Sequence, residues 1–204
     1  MNITNIAVLV SGRGSNLQSI IDNIENSTIP HASVQVVISD VDGTYALERA
    51  KEHDIEAVFV NQNKYDTKAG FETEILRILE AHDIGLVLLA GYMRVVGPTL
   101  LEPYKGRMIN IHPALLPSFP GLHGQQQAFD HGVKVSGCTV HFVDDGVDTG
   151  PIIIQRCVTV LEDDTAEVLA DRILEQEHKI FPEAVRLFVQ GKLIIDGRKV
   201  RIAE

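Results

Sequence analysis

The sequence predicts an α/β fold, a Rossmann-like domain with a mostly parallel central sheet and helices on both faces. Two observations predict it. Short apolar runs of strand length alternate with longer stretches whose apolar residues recur at helical spacing, and glycine-rich or polar segments stand where the strands end. Such alternation implies parallel strands joined by right-handed crossovers.

Taken in order, Ile6–Val10, Val34–Ile38, Ala57–Val60 and Leu86–Ala90 are predominantly apolar runs that read as buried strands. Between the first two, Leu17, Ile20, Ile21 and Ile24 fall at i, i+3, i+4 and i+7, one face of a helix. Ala46–His53 reads as a weaker helix, and Phe71, Ile75, Ile78, Leu79 and His82 mark a longer one. The second half changes character. Met108–Ile111 is a short strand running into a proline-rich loop from Pro113 to Pro120, where crowding predicts a cis peptide at Leu116–Pro117. Ser136–Val143 and Pro151–Val160 read as strands separated by an acidic turn. A helix follows over about Thr165 to Val189, with a kink expected near Pro182. Lys192–Ile195 and Val200–Ile202 around Asp196-Gly197 form a small hairpin. With no repeat and no linker, the expectation is one domain over 1–204. Its first half covers about 1–100, its second about 101–190, and a short tail about 191–204.

Composition narrows the function. Of the 204 residues 45% are hydrophobic, enough for a packed core, and the formal net charge of −10 disfavours a protein that grips nucleic acid through many phosphates. The charge is compatible with one phosphate held by backbone N–H groups. Apolar runs are too short to cross a bilayer, and Met1–Val10 lacks the pattern of a secretion signal. Cys138 and Cys157 show no CxxC spacing and suit a reducing compartment, so a cytoplasmic enzyme is expected. No metal is expected: His112 and His123 are poorly spaced for zinc, and no His-Glu-x-x-His occurs.

Three segments carry candidate chemistry. Ser11-Gly12-Arg13-Gly14-Ser15-Asn16 lies between the first strand and first helix, where free N–H groups face an anion. Leu17 stands where a dinucleotide loop has its third glycine, and no Gly-Lys-Ser/Thr follows, so a phosphate monoester fits better than a pyrophosphate. Ser15 and Asn16 are expected to cap the helix; a plain tight turn is the other reading. Asn110 and His112, two apart on a strand, share a face at its carboxyl end. They offer an oxyanion a neutral donor and a titratable one, or else close a turn. Asp144-Asp145-Gly146-Val147-Asp148-Thr149-Gly150 is either a solvated turn or the source of an aspartate aimed at the histidine, favouring its protonated form. Glu177 is an acid on an apolar helical stripe with Ile173, Ile180, Ala184 and Phe188. It lies at the stripe's edge or reaches into a ligand pocket.

These motifs in this order resemble the folate-dependent glycinamide ribonucleotide transformylase family from Ile6 to about Gln190. The carriers are the 11–16 loop, Leu-Ala-Gly-Tyr-Met-Arg at 89–94, Asn-Ile-His-Pro-Ala-Leu-Leu-Pro at 110–117 and Phe-Pro-Gly-Leu-His at 119–123. Val-His-Phe-Val-Asp at 140–144, Asp-Thr-Gly-Pro at 148–151 and Glu-His-Lys-Ile-Phe-Pro at 177–182 complete the set. The resemblance implies a catalytic trio of Asn110, His112 and Asp148. It implies that Gly12, Arg13, Gly14, Ser15, Asn16 and Glu177 bind glycinamide ribonucleotide. A folate cleft would comprise Leu89, Tyr92, Met93, Arg94, Val95 and Val96 with Val143, Asp144, Asp145, Gly146 and Val147, and Lys68 near the folate tail. The implied co-substrate is 10-formyltetrahydrofolate, the implied assembly a monomer or homodimer, and no membrane or nucleic acid partner is implied. Ala114 replaces a serine frequent in the family. Three rivals share parts of this pattern. A formyltetrahydrofolate hydrolase would carry an N-terminal regulatory domain for which Ile6 leaves no room, and a methionyl-tRNA formyltransferase would add a C-terminal tRNA-binding domain. The third is a non-catalytic folate- or nucleotide-binding module.

Overall fold

Thr4–Val10 forms strand β1, and its last five residues are buried, as the unbroken apolar run requires. The structure is a computed structural model that describes residues 3–203, and the chain divides into two compact units, Met1–Ile109 and Asn110–Glu204.

In the first unit β1 is followed by helix α1 (Ser15–Glu25), strand β2 (Ala32–Ser39), helix α2 (Tyr45–Glu52), strand β3 (Glu56–Phe59), helix α3 (Lys68–Ala81) and strand β4 (Leu86–Leu89). The order is β3-β2-β1-β4, and β1–β2, β1–β4 and β2–β3 are all parallel, as the strand–helix alternation predicts. The expected stripes are the buried ones: Leu17, Ile20 and Ile21 on α1, and Phe71, Ile75, Ile78 and Leu79 on α3. Each such side chain contributes about 1.5–3 kcal/mol by leaving water. Thr67 starts α3 by accepting the Gly70 N–H at 3.1 Å. His82 stands just past its end and donates from Nδ1 to the Ile78 carbonyl at 2.8 Å. A short helix α4 (Pro98–Leu101) continues into a 3-10 turn at Glu102–Tyr104, neither of which the periodicity predicts. Strand β5 (Met108–His112) carries the chain from the first unit to the second.

In the second unit the segment after Pro120 contains helix α5 (Gly124–His131), which was not expected because few apolar residues mark it; its buried residues are Gly124 and Ala128. Strands β6 (Val135–Phe142) and β7 (Ile152–Thr159) pair antiparallel, and β7 pairs parallel with β9 (Lys199–Ile202) at Ile152↔Lys199. Strand β8 (Leu193–Asp196) closes the expected hairpin with β9. Helix α6 (Ala166–Val189) packs on β6 and β7. Its N-cap Thr165 accepts the Val168 N–H at 3.2 Å. Pro182 sits inside it without breaking it, so the element runs 24 residues. The Leu116–Pro117 peptide is cis, as predicted.

The register of β6 on β7 shifts between Val140 and His141, where Val140 faces Ile154 but His141 faces Ile152. The extra residue is a β-bulge, which re-aims the side chains at the end of the strand. Pairing is tight farther back: a Cβ on Gly137 would stand 2.0 Å from the Arg156 carbonyl oxygen. That oxygen belongs to the backbone and cannot step aside, so Gly137→Ala is expected to destabilise the chain by about 3 kcal/mol. Urea unfolding midpoints for the two proteins check this; a shift within error would mean the strands part without strain.

Candidate active site

In the first unit the chain leaves β1 through Ser11 and Gly12, then turns at Gly14, whose φ of 71° is left-handed. Gly14 is the N-cap of α1 and no side chain caps the helix, which corrects the expectation that Ser15 or Asn16 does so. Ser15 is instead the first helical residue, and Asn16 is buried inside the first turn. Gly12 and Arg13 are exposed beside the start of α1, the end of a helix that favours an anion. A Cβ on Gly14 would stand 2.7 Å from the Ala46 Cβ, whereas one on Gly12 would meet nothing within 4 Å.

The loop after β4 is tied to the same corner. Ser11 N–H donates to the Gly91 carbonyl at 3.0 Å, and Met93 N–H donates to the Ser11 hydroxyl oxygen at 2.9 Å. Arg94 Nε donates to Asp40 at 2.5 Å. Met93 and Val95 are 61% and 55% exposed, apolar side chains that offer a flat ring a surface, while Val96 is half-buried. Leu89 lies in the core at 5% exposure, within β4 rather than on a ligand-facing surface. Burial, then the Asp40 charge, pushes the Tyr92 phenol well above its ordinary value. Lys68 stands exposed at the start of α3 with Nζ 3.8 Å from Glu72. Glu72 itself is buried and accepts the Gly97 N–H at 2.5 Å, just before α4.

In the second unit the alternation along β5 places Asn110 and His112 on one face as predicted, and both meet Asp148. Asn110 Nδ2 donates to Asp148 Oδ1 at 3.3 Å and to His141 Nε2 at 3.1 Å. His112 Nδ1 lies 3.3 Å from Asp148 Oδ2, and His112 Nε2 donates to the Phe119 carbonyl at 2.8 Å. Gly121 N–H donates to the same Asp148 oxygen at 2.7 Å. His141, at the bulge of β6, is the member that sequence reasoning left without a role. Its Nδ1–H donates to the Phe142 carbonyl at 2.8 Å, so Nε2 is the acceptor that Asn110 fills. The signal for it was a single polar side chain inside an otherwise apolar strand end, Val140-His141-Phe142.

Both ring nitrogens of His112 face oxygens that only accept, an environment made for imidazolium. Burial works the other way and prevails, lowering its pKa below 6.5 against the Asp148 charge and the Phe119 carbonyl. The aspartate does favour the protonated form, as expected, but burial outweighs it and the 3%-exposed ring leans to the neutral form. Burial alone would raise Asp148, but the His141 ring, the Gly121 N–H and the nearby His112 outweigh it and hold the carboxyl below 3.8.

The rest of the turn bonds to itself. Asp144 Oδ1 accepts from the Gly146 N–H at 3.2 Å and the Thr149 hydroxyl at 2.7 Å. Val143 is half-buried, while Asp145 and Val147 are exposed. The carboxylates are thus dispersed, Asp144 to Thr149 and Asp148 to the histidines. Glu177 is 5% exposed on α6 with Ile173, Ile180 and Ala184 buried along its stripe, so it is not at the stripe's edge. Burial, then the Glu177 charge, pushes the Cys138 thiol up to about 12.

Residues 4–185 match the formyl transferase family, and the chain belongs to that family. A phosphoribosylglycinamide formyltransferase of Bacillus subtilis (strain 168) is 43% identical over 180 residues, covering 88% of this chain and 92% of that protein. The crystal structure of glycinamide ribonucleotide transformylase 1 from Symbiobacterium toebii matches with a TM-score of 0.97 at 50% identity, over 99% of this chain and 95% of that one. The trifunctional purine biosynthetic protein adenosine-3 of Drosophila melanogaster is 44% identical over 191 residues; the match takes in 93% of this chain but only 14% of that protein's length.

The His112 shift has a consequence for stability. Its folded pKa lies below the ordinary 6.5, so the unfolded chain takes up the proton first. Above that value the residue is neutral in both states and contributes nothing to the pH dependence; as pH falls through 6.5 toward the folded value, stability is lost. Between about pH 7.5 and about pH 5.5 the unmodified protein should lose more unfolding free energy than His112→Gln. Urea titrations at the two pH values give the comparison, and parallel losses would show that His112 is not held neutral.

Proposed function

We propose that this chain transfers the formyl group of 10-formyltetrahydrofolate to the amine of glycinamide ribonucleotide. The observation that carries the reading is the half-buried Asp148 carboxylate with Asn110 on one oxygen and His112 on the other. In this reading the ribonucleotide phosphate is taken by Gly12, Arg13, Gly14, Ser15 and Asn16, using the uncapped start of α1, and Glu177 accepts from the ribose hydroxyls. Tyr92, Met93, Arg94, Val95 and Val96 take the folate ring system, with Val143, Asp144, Asp145, Gly146 and Val147, and Lys68 is the cation for its tail. Leu89, being in the core, supports the loop from behind. The enzyme works in the cytoplasm, as a monomer or homodimer, without a metal; among the described residues no helix is long and apolar enough to cross a membrane.

The substrate amine attacks the formyl carbon, a C–N bond forms, and negative charge collects on the former carbonyl oxygen. Asn110 and His112 stabilise that oxygen, a contribution of about 3–4 kcal/mol for a well-placed donor. The two Asn110 N–H groups are committed to His141 and Asp148, so the longer 3.3 Å bond to Asp148 is the one exchanged for the oxyanion. His112 leans neutral before reaction and takes up the proton that the attacking nitrogen loses, becoming imidazolium as negative charge develops, when the Asp148 carboxylate compensates it most. The proton lost by the attacking nitrogen then passes, through this pair and water, to the departing folate nitrogen as its bond to the formyl carbon breaks.

A formyl-transfer assay with purified protein, 10-formyltetrahydrofolate and glycinamide ribonucleotide tests the reading. Replacing Asn110, His112 or Asp148 by alanine is expected to lower kcat by about 100-fold or more with circular dichroism unchanged. Donor consumption that is indifferent to the ribonucleotide would identify a hydrolase instead.

The phosphate cradle has its own probe. Gly14 cannot serve, because a side chain there strikes Ala46 before it meets any ligand. Gly12 is open, so Gly12→Val should fold normally and raise the ribonucleotide KM about tenfold or more by blocking approach to the N–H groups, leaving the folate KM within about twofold. Equal changes in both KM values would assign the loop a structural role alone.

A further inference from the structure

Asp40, the residue after β2, takes no part in the chemistry above, yet its side chain is only 4% exposed. A carboxylate so removed from water needs partners, and the ones it has are informative. One oxygen accepts the Ser11 hydroxyl at 2.5 Å, and the other accepts Arg94 Nε at 2.5 Å. The same Ser11 hydroxyl oxygen accepts the Met93 N–H, and the Ser11 N–H binds the Gly91 carbonyl. The Arg94 guanidinium lies 5.7 Å over the Phe71 ring, which limits its freedom further. Asp40 thus closes a chain of bonds running from the residue that begins the 11–16 loop to two successive residues of the 91–96 loop.

We propose that Asp40 is a positioning residue that joins these two loops into one element, so that the ligands they hold bind cooperatively. The proposal rests on the reading that the first loop takes the ribonucleotide phosphate and the second the folate. A ligand that draws the backbone of 12–16 onto its phosphate fixes Ser11, and through Ser11 and Asp40 it fixes Met93 and Arg94. The second ligand then meets a loop whose ordering has already occurred.

The test is calorimetric titration of the whole chain with glycinamide ribonucleotide, with and without saturating tetrahydrofolate. The unmodified protein should bind the ribonucleotide about fivefold or more tightly when tetrahydrofolate is present. Asp40→Asn keeps an oxygen for Ser11 but loses the charge that holds Arg94, and should bring that factor close to one. Ser11→Ala cuts the same chain at its other end and should do likewise, with the double variant showing no further loss. A merely structural role would lower the melting temperature and leave the factor unchanged. Retention of the full factor by Asp40→Asn, or by Ser11→Ala should the first variant not fold, overturns the proposal, as does independent binding in the unmodified chain. Failure of the unmodified chain to bind either ligand would instead overturn the functional reading, and this proposal with it.

Discussion

A carboxylate kept from water must be met by donors, and the second unit is organised around meeting one. The Asp148 side chain is 13% exposed, and the donors come from separate segments. Asn110 donates from β5 and Gly121 from the loop that follows it, while the rings of His112 on β5 and His141 at the bulged end of β6 flank the carboxylate. The aspartate sits at φ 53°, in the left-handed region, where the turn delivers its carboxylate inward. Phe119 and His123 share that conformation at φ 56° and 61°. An aromatic residue there is strained, and the strain is located where the Phe119 carbonyl takes the His112 proton. Backbone strain and buried charge therefore fall on the same few residues.

Opposed forces on one ring give the site its chemistry. Asp148 and the Phe119 carbonyl favour a charged His112; its burial disfavours one. A histidine fully committed to either state would be a poor carrier of a proton. The first unit uses the same physics for shape rather than protons: Glu72 and Asp40 are both withdrawn from water, and each satisfies itself by bonding a loop at the end of a strand. The chain's net charge of −10 gives no hint of this, because these acids are matched locally.

Where burial and sequence period coincide, the fold was legible. The strands β1 and β4 centre on unbroken apolar runs and β2 on one interrupted only by Gln35, and their ends moved by no more than two residues. Helix α6 was legible from its stripe, and Glu177 from its interruption of it. Helix α5 was not, since Gln125, Gln126 and Gln127 carry no period and its burial rests on small residues. Asn110 and His112 could be paired from strand alternation alone, and the resemblance supplied Asp148. The N-cap was misjudged because Ser15 has the usual capping chemistry while the sharpness of the turn gave the position to Gly14. Asp40, Glu72 and His141 escaped notice because their partners are distant in sequence, and a lone polar residue at a strand end reads as the start of a loop. The charge facing His112 was legible and the opposing burial was not: one neighbouring charge can be guessed from sequence, but the depth of burial cannot.

The contact between Gly14 and Ala46 restricts how this sequence can drift. The Ala46 N–H donates to the Gly12 carbonyl at 3.2 Å, and its Cα and Cβ occupy the space a side chain at 14 would need. Residue 14 is further bound to a backbone geometry that glycine adopts freely. The two sites, 32 positions apart, are thus read by selection as one: a bulkier residue at 46 presses on the turn, and any side chain at 14 presses on α2. Neither can change first without loss, so substitutions at the pair should be found together or not at all, and α2, which carries no chemistry, is held to its sequence by the turn it leans on.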